Sequence, residues 1–225
     1  MPLLAMAAAM PASATIFTDR PTWMASVMNS TAYDFGLPAV GSTTFYNTSS
    51  GLLQSGMRIV GFNQVGNTFS VVRGSATVNT FYDWGTGAVA RSDPYSSGFA
   101  TPSFRITFTG GPVTAFGIDL GVGGSTPATG NLDVTPEGLG TTTISTSLRP
   151  NFVFYGITSV TGFNYVDILA PQLANGYAVI DNLTYGTAGT APDPTPEIGT
   201  LLSVASGLFL LAYKLRRALN FSFNA

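Results

Sequence analysis

Residues 104–109, Phe-Arg-Ile-Thr-Phe-Thr, alternate large apolar and polar side chains without a break. Only an extended strand, whose side chains point to opposite faces at each step, puts such a segment half into a core and half into water. The period recurs in Thr114–Leu120, where Phe116, Ile118 and Leu120 share one face and Ala115, Gly117 and Asp119 the other. Gly110-Gly111-Pro112 between them reads as a hairpin loop. Further strands are expected over Met57–Phe62, Thr68–Val72, Leu132–Val134, Thr141–Ser147, Asn151–Tyr155, Tyr165–Leu169 and Tyr177–Tyr185, most of them separated by Gly, Pro or Asn. No long helical pattern intervenes, which argues against a parallel βαβ sheet. Short strands with polar loops predict an all-β, antiparallel β-sandwich. Its core face would use Phe104, Ile106, Phe108, Phe116, Ile118, Phe152, Phe154 and Ile180. One short helix is expected near the start. Thr18 or Asp19 can cap it, Pro21 suits its first turn, Trp23, Met24 and Val27 share a face, and it should end before Asn29.

Reactive side chains are scarce. The 225 residues include no histidine, no cysteine, one lysine (Lys214) and two glutamates (Glu137, Glu197). That excludes cysteine nucleophiles, Ser-His-Asp triads, Cys/His zinc sites, disulfides and a phosphate-loop lysine. Charged residues make up 9%, against about 25% in ordinary soluble domains, and the net charge is −2. No basic surface for nucleic acid is expected. Two facing carboxylates such as Asp83 and Asp119 could in principle serve a glycosidase. With nothing beside them to tune proton transfer, the reading is a non-enzyme.

Both ends read as transport signals. Leu3–Met10 is a short apolar run, and Ala12-Ser13-Ala14 follows as an A-x-A site, so residues 1–14 form a signal peptide whose positive n-region would lie upstream of Met1. The exported domain would then run over 15–188, and 189–197 is a Pro-rich linker. Ile198–Tyr213 carries no charge and is followed by Lys214, Arg216 and Arg217. As a helix this run spans about 24 Å, and snorkelling cations extend it toward the hydrocarbon thickness of about 30 Å. A single transmembrane helix over 198–217 is expected, its basic end cytoplasmic, with 218–225 as a short tail.

Pro196-Glu197, an apolar helix and a basic cluster, paired with a signal peptide at the other end, resemble the PEP-CTERM sorting signal of exopolysaccharide-producing bacteria. The resemblance implies recognition of Pro196, Glu197, Lys214, Arg216 and Arg217 by an exosortase, a membrane transpeptidase, and removal of the helix. The protein would pass through the inner membrane to the outer envelope or the extracellular space. The body resembles that family's common ectodomain, a jelly-roll like those of carbohydrate-binding modules. The segments that carry this are Ala32–Pro38, Ala115–Leu120, Phe154–Ser159 and the closing Ile180-Asp181-Asn182-Leu183-Thr184-Tyr185.

Carbohydrate-binding jelly-rolls often tie their first and last strands with a structural calcium, so the resemblance makes Asp34 and Asp181 candidate Ca2+ ligands; the alternative is that each accepts turn or cap hydrogen bonds. Tyr82, Trp84 and Tyr95, with Phe81 nearby, are candidate sugar-stacking rings; the alternative is core packing. The leading expectation is a non-enzymatic envelope or matrix protein. The alternatives are a polysaccharide-binding module and a self-assembling extracellular protein, since strands of low charge favour edge pairing.

Overall fold

The computed structural model describes residues 13–36, 41–46, 51–61, 69–73, 84–85, 87–92, 103–124, 130–147, 149–170 and 176–189. All belong to Met1–Gly189, the first of two units into which the chain divides; Thr190–Ala225 is the second. The sorting segment, the linker from Thr190 and the signal peptide up to Ala12 therefore lie outside the described residues. Among the described residues no helix is long and apolar enough to cross a membrane.

The described chain is one short helix and strands, all paired antiparallel. The larger sheet runs β1 (Ala14–Phe17), β12 (Val153–Phe163), β9 (Val113–Gly124), β14 (Gly176–Ala188), β7 (Val89–Ser92), β6 (Phe69–Val72) and β3 (Thr43–Tyr46), with β2 (Val27–Tyr33) also paired to β14. The smaller sheet runs β11 (Thr142–Ser145), β10 (Asn131–Pro136), β13 (Tyr165–Leu169), β8 (Ser103–Phe108), β5 (Met57–Gly61) and β4 (Leu52–Gln54). Their inner faces meet in one apolar core, where Ile59, Phe104, Ile106 and Phe108 oppose Phe116, Ile118, Leu120 and Ile180. The Phe108 and Phe116 rings cross it edge to face, centroids 6.0 Å apart. The expected antiparallel sandwich is thus the architecture of the described residues.

Three local expectations are corrected. Gly110-Gly111-Pro112 is not a hairpin: β8 pairs with β5 and β13, whereas β9 pairs with β12 and β14. Both strands turn their large apolar residues inward, so they stand on opposite sides of the core, and the loop carries the chain from one sheet to the other. Phe152 and Phe154 are not core residues. The inward positions belong to Val153, Tyr155 and Ile157, because Phe154 pairs with outward Asp119 and Tyr155 with inward Ile118. A one-residue shift of parity moves a whole strand face to the other side.

The helix α1 (Arg20–Ala25) is shorter than expected. Asp19 caps it by accepting the Thr22 N–H at 2.9 Å, and Pro21 lies in its first turn. It buries only Trp23, and Val27 already belongs to β2. Asn29, read as a stop, sits in a bulge of β2 with φ +51°, a left-handed conformation that Asn tolerates.

The outer face of the larger sheet carries a second layer of aromatic packing. A methyl group at Gly117 would come within 2.8 Å of the Trp23 ring, and one at Gly156 within 2.6 Å. These glycines leave a depression that the indole fills, with its Nε1 donating to the Ile157 carbonyl at 3.2 Å. This docks α1 and fixes Arg20 above β9 and β14.

Candidate functional site: a break in the larger sheet

Strand β14 pairs with β9 along one edge. On its other edge β7 pairs with Val179 and Ile180, and β2 pairs from Leu183 to Ala188. Asp181 and Asn182 fall between these two partners. Register against β9 slips there as well, and Asn182 takes φ +48°. Backbone groups that leave a ladder need other partners. The Asn182 N–H donates to Asp181 Oδ1 at 2.8 Å, and the Asn182 carbonyl accepts from Arg20 Nη2, also at 2.8 Å. The Asp-Asn pair of the closing strand is therefore the local chemistry of a sheet break.

Arg20 ties the break together. Its Nη2 also donates to Asp119 Oδ1 at 2.9 Å, and Nη1 donates to Thr184 Oγ1 at 3.2 Å. Asp119 Oδ2 accepts from Asn182 Nδ2 at 2.8 Å. The guanidinium lies 4.5 Å from the centroid of the Phe154 ring, which itself leans on Trp23. Asp119 and Asp181 are direct cross-strand neighbours, an unfavourable placement for two carboxylates. Arg20 and the Asn182 amide offset it.

Beside this network opens a cleft of about 370 Å3, lined by Arg20, Asp119, Asn182, Leu183 and Thr184 on one side and by Ala32, Tyr33 and Asp34 on the other. Asp34 is exposed, and among the described residues neither of its oxygens has a hydrogen-bond partner. Burial pushes the Tyr33 phenol above its ordinary range, with smaller contributions from Tyr46 and from the Asp34 charge.

The two candidate calcium ligands differ in exposure. Asp34 is exposed and lines the cleft, whereas Asp181 is buried, 1% exposed, and accepts from Asn182. Besides the β2–β14 ladder, the Arg20 guanidinium ties the chain's first elements to β14. Among the described residues no three acidic or other ligating side chains converge to hold a metal. The donor set does not fit calcium: a divalent ion would sit against a guanidinium and compete for carboxylate oxygens already engaged.

Trp84 is not an exposed platform. It is 2% exposed and packs over Gly121 with Val72, Val89, Tyr177 and Val179, its ring 4.7 Å from Phe152. Stacking on a sugar needs an open ring face, and the sheet covers this one. Tyr82 and Tyr95 lie outside the described residues, as do Pro196, Glu197, Lys214, Arg216 and Arg217. The role of Arg20 went unread because a residue inside a short helix carries no signal of its partners 99 and 162 positions away. Asp119 was legible only as an outward charge among small residues.

Neither a protein-family model nor a curated protein matches the chain. Among solved structures it is similar to family 29 carbohydrate-binding modules. One is a variant complexed with mannohexaose, at 16% identity and a TM-score of 0.38, with 65% of this chain and 93% of that one covered. Another, described as a family 29 carbohydrate-binding module, gives 16% identity and a TM-score of 0.37 over 69% and 99%. A third, complexed with cellulohexaose, gives 15% identity and 0.36 over 64% and 93%. With TM-scores below 0.5, these similarities decide neither fold nor ligand.

Proposed function

We propose that the chain is a non-catalytic, polysaccharide-binding β-sandwich that works outside the cell. The observation that carries this is the cleft at the sheet break. Its volume suits a sugar ring or two. Its floor is cross-braced by Arg20, Asp119, Asn182 and Thr184, and it offers both hydrogen-bond donors and a free acceptor. Polyhydroxylated ligands need such a mixture. Catalysis is disfavoured by the same bonds. Both Asp119 oxygens are engaged by hydrogen bonds and Asp181 is buried, which leaves this carboxylate pair poorly placed to attack or protonate a glycoside.

Affinity electrophoresis through gels containing soluble polysaccharides tests the reading. Wild type should be retarded in at least one gel. Ala32→Trp, which fills the cleft from an exposed position, should run free. Wild type unretarded in every gel would remove the proposal.

Delivery rests on the terminal segments. In this reading the PEP-CTERM-like tail is a removable membrane address handled by an exosortase-type enzyme, and the leader is cut after Ala14. Mass spectrometry of the protein from its host should show a chain that starts at Thr15 and lacks the apolar run after Glu197. An intact chain recovered from the cytosol would defeat the delivery scheme.

A further inference from the structure

Resting on that saccharide-binding reading, we infer that the cleft selects an uncharged sugar and rejects uronic-acid chains, reading neighbouring hydroxyls through Arg20 and Asp34. Of the five N–H groups of the Arg20 guanidinium, three are engaged, with Thr184, Asp119 and the Asn182 carbonyl. The Nε–H and one Nη1–H have no partner among the described residues. Arg20 is 27% exposed, so those donors are not sealed from solvent. Asp34 lines the same cleft and presents a carboxylate that only accepts. A fixed donor and, among the described residues, an unengaged acceptor in one cleft complement sugar hydroxyls, one accepting from the guanidinium and another donating to the carboxylate.

The charges set the discrimination. The positive charge of Arg20 is already matched by Asp119 at 2.9 Å, so the cleft has no net cation to offer an anionic ligand. The charge of Asp34 has no such match among the described residues. A uronate entering here brings a second carboxylate beside the first, and the two like charges repel. A neutral hexose brings hydroxyls and no charge.

Isothermal titration of the protein with cellohexaose and with hexagalacturonate tests this, using wild type and Asp34→Asn. Asp34 is exposed, so the substitution leaves the core untouched. Wild type should bind cellohexaose and show no heat with hexagalacturonate. In Asp34→Asn a charged hydrogen bond becomes a neutral one, so cellohexaose should weaken about tenfold while hexagalacturonate gains measurable binding. Wild type that binds the acidic hexamer as tightly as the neutral one overturns the selectivity, as does an unchanged affinity ratio in Asp34→Asn. Both results leave saccharide binding standing. Failure of both hexamers to bind wild type overturns this inference, while the saccharide reading itself stands or falls on the affinity gels.

Discussion

Replacing Arg20 with alanine removes a cation that closes the sheet break, and the structure sets the scale of the loss. Breaking a fully buried ion pair costs about 3–5 kcal/mol, chiefly because the partner charge is stranded. Here the arginine is 27% and the aspartate 17% exposed, so water recovers part of that penalty. The Asn182 carbonyl also loses its donor, and Phe154 loses its covering guanidinium. About 3 kcal/mol is expected in all, or roughly 6–12 °C in Tm for a domain of this size. Urea and thermal unfolding followed by tryptophan fluorescence would measure it, with Trp23 reporting from directly beneath the network. Two controls separate pair loss from general damage. Arg20→Ala combined with Asp119→Asn should lose less than the two single changes summed, since no full charge is left stranded. Millimolar calcium should restore part of the loss in Arg20→Ala, where oxygens of Asp119, Asn182 and Thr184 are released, and should leave wild type unmoved. An Arg20→Ala protein melting within a degree of wild type, or a wild type stabilised by calcium, would refute the assignment of Arg20 as the tie.

Other outcomes follow from the packing. Burial pushes the Tyr155 phenol up to about 12. Between about pH 10 and about 12 the unfolded chain has released this proton and the folded chain holds it, so stability should fall with rising pH across that window, by about 2–3 kcal/mol. Denaturant titrations should show that slope flattened in Tyr155→Phe. Gly117→Ala forces a methyl to 2.8 Å from the Trp23 ring and should cost about 1–3 kcal/mol, whereas Gly110→Ala, with nothing within 4 Å, should be near neutral in the same unfolding assay. Trp84→Phe should lower Tm yet leave polysaccharide retardation in gels unchanged, because Trp84 packs on the sheet away from the residues lining the cleft.

Much of the sandwich can be read from alternation, because a strand with one buried face has to show it. Met57–Phe62, Thr68–Val72 and Tyr165–Leu169 match β5, β6 and β13 within a residue. Reading fails where both faces of a strand are covered. Around β12 the outward Phe154, and Phe152 just before the strand, are as large as the inward Tyr155 and Ile157, so apolarity alone does not choose the parity. Alternation also says nothing of which sheet a strand joins, and so β8 and β9 look like a hairpin. The site was half legible. Asp181-Asn182 stands out as a polar pair inside a closing strand. Its meaning depends on β7 and β2 meeting end to end against β14, a coincidence of segments some 60 positions apart that no local pattern encodes.

That meeting also dictates the order in which the fold can be finished. Strand β14 is the shared neighbour of β9, β7 and β2, and it is the last strand among the described residues. Until its thirteen residues have emerged from whatever secretes or synthesises them, the three strands that need it have no common seam. The domain therefore closes like a zip whose slider arrives last, and a chain cut short before Gly176 would leave the larger sheet as two unjoined halves with β2 stranded beside them.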